Sequence, residues 1–136
     1  MCCHFQQAKL LSNKFLVKIM KILIADDNKK IRDMIKTLIV SQANEIFECD
    51  NGFDAVRIYE QRRPDCVLMD IEMRPIDGFR ATMWIKNEYP NAKIIIVTQH
   101  DNAEFREKAL RVGADNFLSK ENLIDLRKVI NDVVSD

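Results

Sequence analysis

Asp26, Asp27, Asp70, Thr98, Ser119 and Lys120 share one property: each stands where an apolar run stops. Ile22-Leu23-Ile24-Ala25 leads to the acid pair, Cys66-Val67-Leu68-Met69 to Asp70, Ile94 to Val97 to Thr98, and Phe117-Leu118 to Ser119-Lys120. Short apolar runs bounded by turn residues read as strands buried on both faces. The residue ending such a strand lies at its carboxyl end, where open α/β sheets place their ligands. Three carboxylates gathered in one cleft repel each other, so the fold must raise the pKa of at least one. A hard divalent cation relieves that repulsion, and Mg2+ suits a site with few carboxylates, several waters and a phosphate. Lys120 adds a positive charge and Thr98 a short hydroxyl donor. Carboxylates, Mg2+, lysine and hydroxyl together stabilise a phosphoryl group in transfer. A carboxylate among them can itself be the nucleophile, giving an acyl phosphate. The candidate residues at this edge are therefore Asp26, Asp27, Asp70, Thr98 and Lys120.

Each residue alone has an ordinary structural reading. An acid pair after a strand often caps the next helix, and Asp26 or Asp27 would serve. A terminal threonine satisfies a strand end, and a terminal lysine is usually a solvated charge. Such groups at four matching strand ends are harder to explain that way.

The elements that must position them alternate regularly from Met20. Strands are expected at Lys21–Ala25, Glu45–Cys49, Asp65–Asp70, Lys93–Thr98 and Asp115–Ser119. Helices are expected at Asn28–Ser41, Phe53–Arg62, Gly78–Glu88, Asn102–Val112 and Glu121–Val134. Ile31, Met34, Ile35, Leu38 and Ile39 fall on one face of the first helix, and Leu123, Leu126, Ile130 and Val133 on one face of the last. Gly113 suits a left-handed position after the fourth helix, and Asp50 reads as the cap of the second. Strict alternation implies an α/β fold, a doubly wound, five-stranded parallel (βα)5 sheet with helices on both faces. The flavodoxin-like order 2-1-3-4-5 is expected, and it makes the four chemically equipped strands consecutive.

Composition narrows the function classes. Lys plus Arg (21) balances Asp plus Glu (21), which gives no support to non-specific nucleic-acid or membrane binding. No apolar stretch approaches a membrane span. Of the cysteines, Cys2 and Cys3 lie at the N-terminus and Cys49 and Cys66 inside expected strands, so no disulfide framework is read and a cytoplasmic, reducing compartment is expected. Residues 1–19 are expected to be a poorly ordered N-terminal extension, and residues 20–136 the folded domain. Cys2, Cys3 and His4 have metal-ligating side chains but no second cluster to complete a site.

The sequence resembles the receiver domains of two-component response regulators. The matching pieces are Ile22 to Asn28, Asn51-Gly52-Phe53-Asp54-Ala55, Asp70-Ile71-Glu72-Met73 with Asp77-Gly78, Ile96-Val97-Thr98, Gly113-Ala114-Asp115 and Phe117-Leu118-Ser119-Lys120. The resemblance runs from Met20 to about residue 134. It implies that Asp70 accepts a phosphoryl group from a phosphohistidine on a sensor histidine kinase or a histidine phosphotransfer protein. It implies Mg2+ as cofactor, held by Asp27, Asp70, the backbone carbonyl of Glu72, and Asp26 directly or through water. Thr98 and Lys120 would contact the phosphoryl oxygens. Phosphorylation would draw Thr98 inward and let Phe117 rotate, changing the surface of helix four, strand five and helix five that a downstream protein target reads. The implied molecule is a phosphoacceptor switch and not an enzyme, with no direct nucleic-acid contact and no membrane insertion, monomeric or a weak dimer on phosphorylation.

Several positions depart from the family's habit. Arg74 stands where proline is common, with Pro75 next. Glu121 follows Lys120 where proline is common. Gln99 is larger than the usual residue beside the threonine, and is expected to narrow access to Asp70. Glu72 and His100 flank the site and are expected to change the phosphoryl lifetime. Trp84 reads as a partly buried aromatic in preference to a contact residue.

Other functions remain open at this point. An aspartate-nucleophile phosphatase would need a second acid two residues after the nucleophile, and Glu72 has that spacing. A flavodoxin-like cofactor binder would want a hydroxyl- and glycine-rich loop after the first strand, where Asp26-Asp27 would repel the flavin phosphate. A receiver that is never phosphorylated is disfavoured by the intact Asp, Thr and Lys set. A receiver fragment of a DNA-binding regulator is a further alternative, since these loop variations also occur there.

Overall fold

The structure is a computed structural model that describes residues 19–135; the expectation for residues 1–19 otherwise lies outside the described residues. Five strands run in chain order as β1 (Lys21–Ala25), β2 (Glu45–Cys49), β3 (Cys66–Met69), β4 (Ile94–Thr98) and β5 (Asn116–Ser119). Five α-helices alternate with them: α1 (Lys29–Ile39), α2 (Gly52–Arg62), α3 (Gly78–Glu88), α4 (Ala103–Arg111) and α5 (Leu126–Val134). All strand pairs are parallel, and the sheet order is β2-β1-β3-β4-β5, as expected.

The central strands carry apolar side chains on both faces because helices cover both. Leu23, Val67, Met69, Ile94 and Ile96 point to one face and pack with Val56, Phe79 and Ile85 of α2 and α3. Ile22, Ile24, Leu68, Ile95 and Val97 point to the other and pack with Ile35 and Ile39 of α1 and Leu126 and Ile130 of α5. Neither face is open to water, so the strands read as continuous apolar runs instead of alternating ones.

The helix starts follow local hydrogen bonding. Asn28 caps α1 by accepting from the Lys30 and Ile31 amides at 2.9 and 3.3 Å. Asn51, not Asp50, caps α2, accepting from Asp54 N at 2.8 Å. The last helix also departs from expectation. Residues Lys120–Asp125 form a 3-10 turn, with Asn122 outside helical angles, and α5 begins only at Leu126. Ser119 Oγ takes the Glu121 amide at 3.2 Å, fixing that tighter start.

The two ends of the sheet differ. At the amino-terminal edge, carboxylate and amide side chains accept from main-chain N–H groups at or beside the strand starts. Asn44 Oδ1 takes Met20 N, Asp65 Oδ2 takes Lys21 N and Asp115 Oδ2 takes Ile94 N, each at 2.8 Å. Lys86 Nζ adds a 2.9 Å ion pair to Asp115. Asp65 is therefore a brace before β3 and not its first residue.

The loop from Ile71 to Asp77 is held by close backbone approaches. Gly78 N donates to Ile71 O at 2.9 Å, and Gly52 N to Ile76 O at 3.1 Å. A Cβ on Gly78 would stand 1.8 Å from the Asp70 carbonyl oxygen, and one on Gly52 2.4 Å from the Ile76 oxygen. Neither backbone can yield without moving Asp70 or its loop. Gly113 is different: its φ of 95° demands glycine, but a Cβ there would meet only the flexible Lys86 side chain. Gly78→Ala should therefore cost about 2–4 kcal/mol in urea unfolding, and Gly113→Ala about 1–2 kcal/mol. Equal, small losses would show that the Asp70 loop is free to shift.

Candidate functional site

At the carboxyl edge of the sheet the backbone sets two carboxylates side by side. Asp26 N donates to Cys49 O at 3.1 Å, and Asp70 N donates to Ala25 O at 2.9 Å, so the parallel ladders extend one residue past β1 and β3. Both side chains are buried, Asp26 at 2% and Asp70 at 4% exposed. Asp27 is exposed. One carboxylate oxygen from each of Asp26, Asp27 and Asp70 lies within 4.8 Å of the others.

Lys120 enters from the end of β5. Its Nζ stands 2.7 Å from Asp26 Oδ2 and 3.2 Å from Asp70 Oδ1. Burial pushes the Asp70 carboxyl up to about 6, the Asp26 charge adds to the rise, and Lys120 opposes it. Burial works against a charged Lys120, but its hydrogen bond to Asp26 and the charge of Asp70 outweigh that, and its pKa is raised. The result is an ammonium held firmly protonated beside a carboxyl that is reluctant to ionise. Asp26 is fixed from further sides: its Oδ1 accepts from Asn28 N at 2.8 Å, and its carbonyl accepts from Arg32 Nη1 at 2.7 Å.

Thr98 is fully buried at the end of β4, and its Oγ1 accepts from His100 N at 3.1 Å. The His100 ring meets the Glu72 carboxylate, joining the loop after β4 to the loop after β3. Gln99, between these residues, is exposed. Phe117 on β5 is half-buried against the core beneath α2, α3 and α4, with the Arg106 guanidinium 4.8 Å from its ring centroid.

The cleft over the carboxylates has a volume of about 610 Å3 and is lined by Asp27, Asp50, Glu72, Met73 and Arg74. Asp50 and Arg74 were not among the expected site residues. Asp50 follows β2, and β2 pairs with β1, so the strand order itself carries the signal that puts it here. Its carboxylate accepts from Asn51 Nδ2 at 2.8 Å and does not cap α2. Arg32 was also not expected, and no spacing in the sequence ties a helix arginine to a strand-end carbonyl.

The donor set at Asp26, Asp27 and Asp70 is all carboxylate oxygen and close enough to share one ion. It fits a hard divalent cation. The same carboxylates with a lysine opposite suit a small, doubly charged oxyanion and fit poorly with an apolar ligand.

The sequence model of the response regulator receiver domain matches residues 22–131. The chain is 34% identical over 100 residues to the chemotaxis protein CheY of Halobacterium salinarum, covering 74% of this chain and 83% of that one. It is 30% identical over 116 residues to the transcriptional regulatory protein DegU of Brevibacillus brevis, covering 81% of this chain but 49% of the other. The chain thus spans about half the length of several transcriptional regulators it matches. Among solved structures, a DNA-binding response regulator of the LuxR family from Staphylococcus aureus superposes with a TM-score of 0.79 at 32% identity. The match covers 85% of this chain and 99% of that one.

The raised Asp70 pKa has a consequence for stability. Its value of about 6 in the folded chain exceeds the ordinary 3.8, so the folded state binds more protons and stability falls as pH rises between the two. Asp70→Asn removes that loss. In metal-free buffer the variant should be more stable than the parent above about pH 6, by on the order of 2 kcal/mol, and the gain should shrink towards pH 4. Urea unfolding with a chelator across this range measures it. No gain at pH 8 would mean that the ion pair to Lys120 fully compensates burial.

Proposed function

The chain belongs to the response regulator receiver domain family, and from that premise we propose that Asp70 is its phosphoacceptor. The observation carrying this reading is the buried Asp70 beside Asp26, with Lys120 bridging both. In the step, an Asp70 carboxylate oxygen attacks the phosphorus of a phosphohistidine on a sensor histidine kinase or a histidine phosphotransfer protein. The O–P bond forms, the P–N bond breaks, and the electron pair returns to the imidazole nitrogen. Lys120 exchanges its contact with Asp70 for one with a phosphoryl oxygen while keeping Asp26. Thr98 would donate its hydroxyl proton to another phosphoryl oxygen, and its oxygen, which accepts from His100 N, would move with it.

Asp26, Asp27, Asp70 and the Glu72 carbonyl would hold Mg2+, which supplies charge neutralisation for the phosphoryl oxygens. Asp27 and Glu72 are the exposed members of this set and line the cleft, whereas Asp26 and Asp70 are buried. The protein is a switch that assists its own phosphorylation and loss of phosphate, not a turnover enzyme. The phosphatase alternative would need Glu72 to protonate a leaving group, and Glu72 lies against the His100 ring.

The shift of Thr98 would carry to the loop after β4 and to Phe117, and so to the surface of α4, β5 and α5, where a downstream protein would dock. Cytoplasmic work fits this role, and no described helix is long and apolar enough to cross a membrane. The match to half of DegU-like regulators favours a second reading, in which the receiver serves an attached DNA-binding unit.

Incubation with Mg2+ and acetyl phosphate should give a single phosphoryl adduct by mass spectrometry, lost in Asp70→Asn and formed far more slowly in Lys120→Ala. No adduct with acetyl phosphate or with a phosphorylated kinase would defeat the assignment. Glu72→Asn, which breaks the contact to His100, should change the phosphoryl lifetime several-fold, and Gln99→Ala should alter it as well. Unchanged decay in both variants would remove these residues from control of the lifetime.

A further inference from the structure

Away from the carboxyl edge, α2 and α3 leave a shallow apolar groove. Phe53, Met83 and Trp84 are 53%, 47% and 44% exposed there. Two adjoining hollows, of about 200 and 410 Å3, meet at Trp84. Large exposed aromatics flanked by charge mark contact surfaces more often than solvated ones do. The question is what would cover them.

The charges around Trp84 answer it. Arg80, Trp84 and Glu88 are spaced four residues apart, so they lie along one ridge of α3. Arg80 and Glu88 are exposed, and neither has an ion-pair partner among the described residues. Each stands about 6 Å along the axis from Trp84, one before and one after. On α2, Arg57 is ion-paired with Asp54 at 3.0 Å, and Glu60 lines the same groove. The two helices follow parallel strands and run the same way, so the unpaired positive charge is Arg80 at one end and the unpaired negative charges are Glu60 and Glu88 towards the other.

Such a surface is complementary to itself when turned end for end. In a two-fold interface, residue i meets j and j meets i. An axis through Trp84 would stack the two tryptophans at the centre and set Arg80 of each copy against Glu88 of the other. We propose that this groove is the interface of a homodimer of the chain, with Trp84 as its centre. A partner of another kind would match the apolar residues, but nothing about it would call for this reversal of charge about one residue. The proposal is independent of the role given to Asp70.

Trp84 is the only tryptophan in the chain, so its emission reports on the groove directly. Sedimentation of the full chain from about 1 μM to about 1 mM should show a monomer–dimer equilibrium. Trp84 emission should move to shorter wavelength over the same range, and Trp84→Ala should be monomeric. Arg80→Glu and Glu88→Arg, each made alone, set like charges together and should weaken the dimer at least about tenfold. The double variant R80E/E88R restores opposite charges and should recover the parent affinity. These residues are exposed, and circular dichroism should confirm unchanged folding. A monomer at every concentration overturns the proposal. So does a dimer indifferent to the charge swaps, or a double variant as weak as the singles. Emission already at short wavelength in a monomer would assign the groove to another segment of the same chain, and would also overturn it.

Discussion

Two carboxylates buried next to each other would repel strongly, and Lys120 is what makes their burial tolerable. Removing one partner from such a cluster leaves an uncompensated charge in a dry place, which costs several kcal/mol. The topology serves this contact. The lysine follows the last strand in sequence, the acid pair follows the first, and Asp70 follows the third. Only with β3 and β4 lying between β1 and β5 do their ends form one short arc. Gly78 and Gly52 contribute to the same end by letting the loop after β3 fold tightly against its own backbone. The core on either face then acts as a platform whose purpose lies at its rim.

The balance at that rim is deliberately incomplete. Lys120 offsets part of the repulsion, yet burial and the Asp26 charge keep the Asp70 pKa raised. A cation and a phosphoryl group each change that balance, in opposite senses. The contacts that would move in response are few: Thr98 to the His100 amide, His100 to Glu72, and Arg106 over Phe117, the last with its guanidinium also tied to Asp101.

Much of this was legible in the sequence because it rests on local rules. Apolar runs such as Ile22–Ala25 and Ile94–Val97 could only be two-faced strands, and their polar ends had to share an edge once the strands were parallel. The helix after Lys120 was less legible. Leu123, Leu126, Ile130 and Val133 have the spacing of one continuous helix, and side-chain spacing does not reveal that the backbone tightens at Ser119 and bends at Asn122. The cap of α2 was assigned to Asp50 because Asp and Asn are nearly equal caps, and only the position of the first turn separates it from Asn51. The contact between His100 and Glu72 joins two loops, and no periodicity measures the distance between loops. Which residues meet at the carboxyl edge was thus readable by type and position, while their pairings were not.

Aspartate appears at both edges of this sheet with opposite consequences. At the amino-terminal edge, Asp65 and Asp115 each take a main-chain N–H, as Asn44 does, and Lys86 adds a further tie to Asp115. Those acids are locked into the framework as if they were extra rungs of the ladder. At the carboxyl edge, Asp26 is shared between framework and site, and Asp70 is committed to the site. The molecule is therefore stiff at one end and electrically unsettled at the other, like a lever clamped at its base. A change of charge at the free end therefore meets fewer ties than one at the clamped end would.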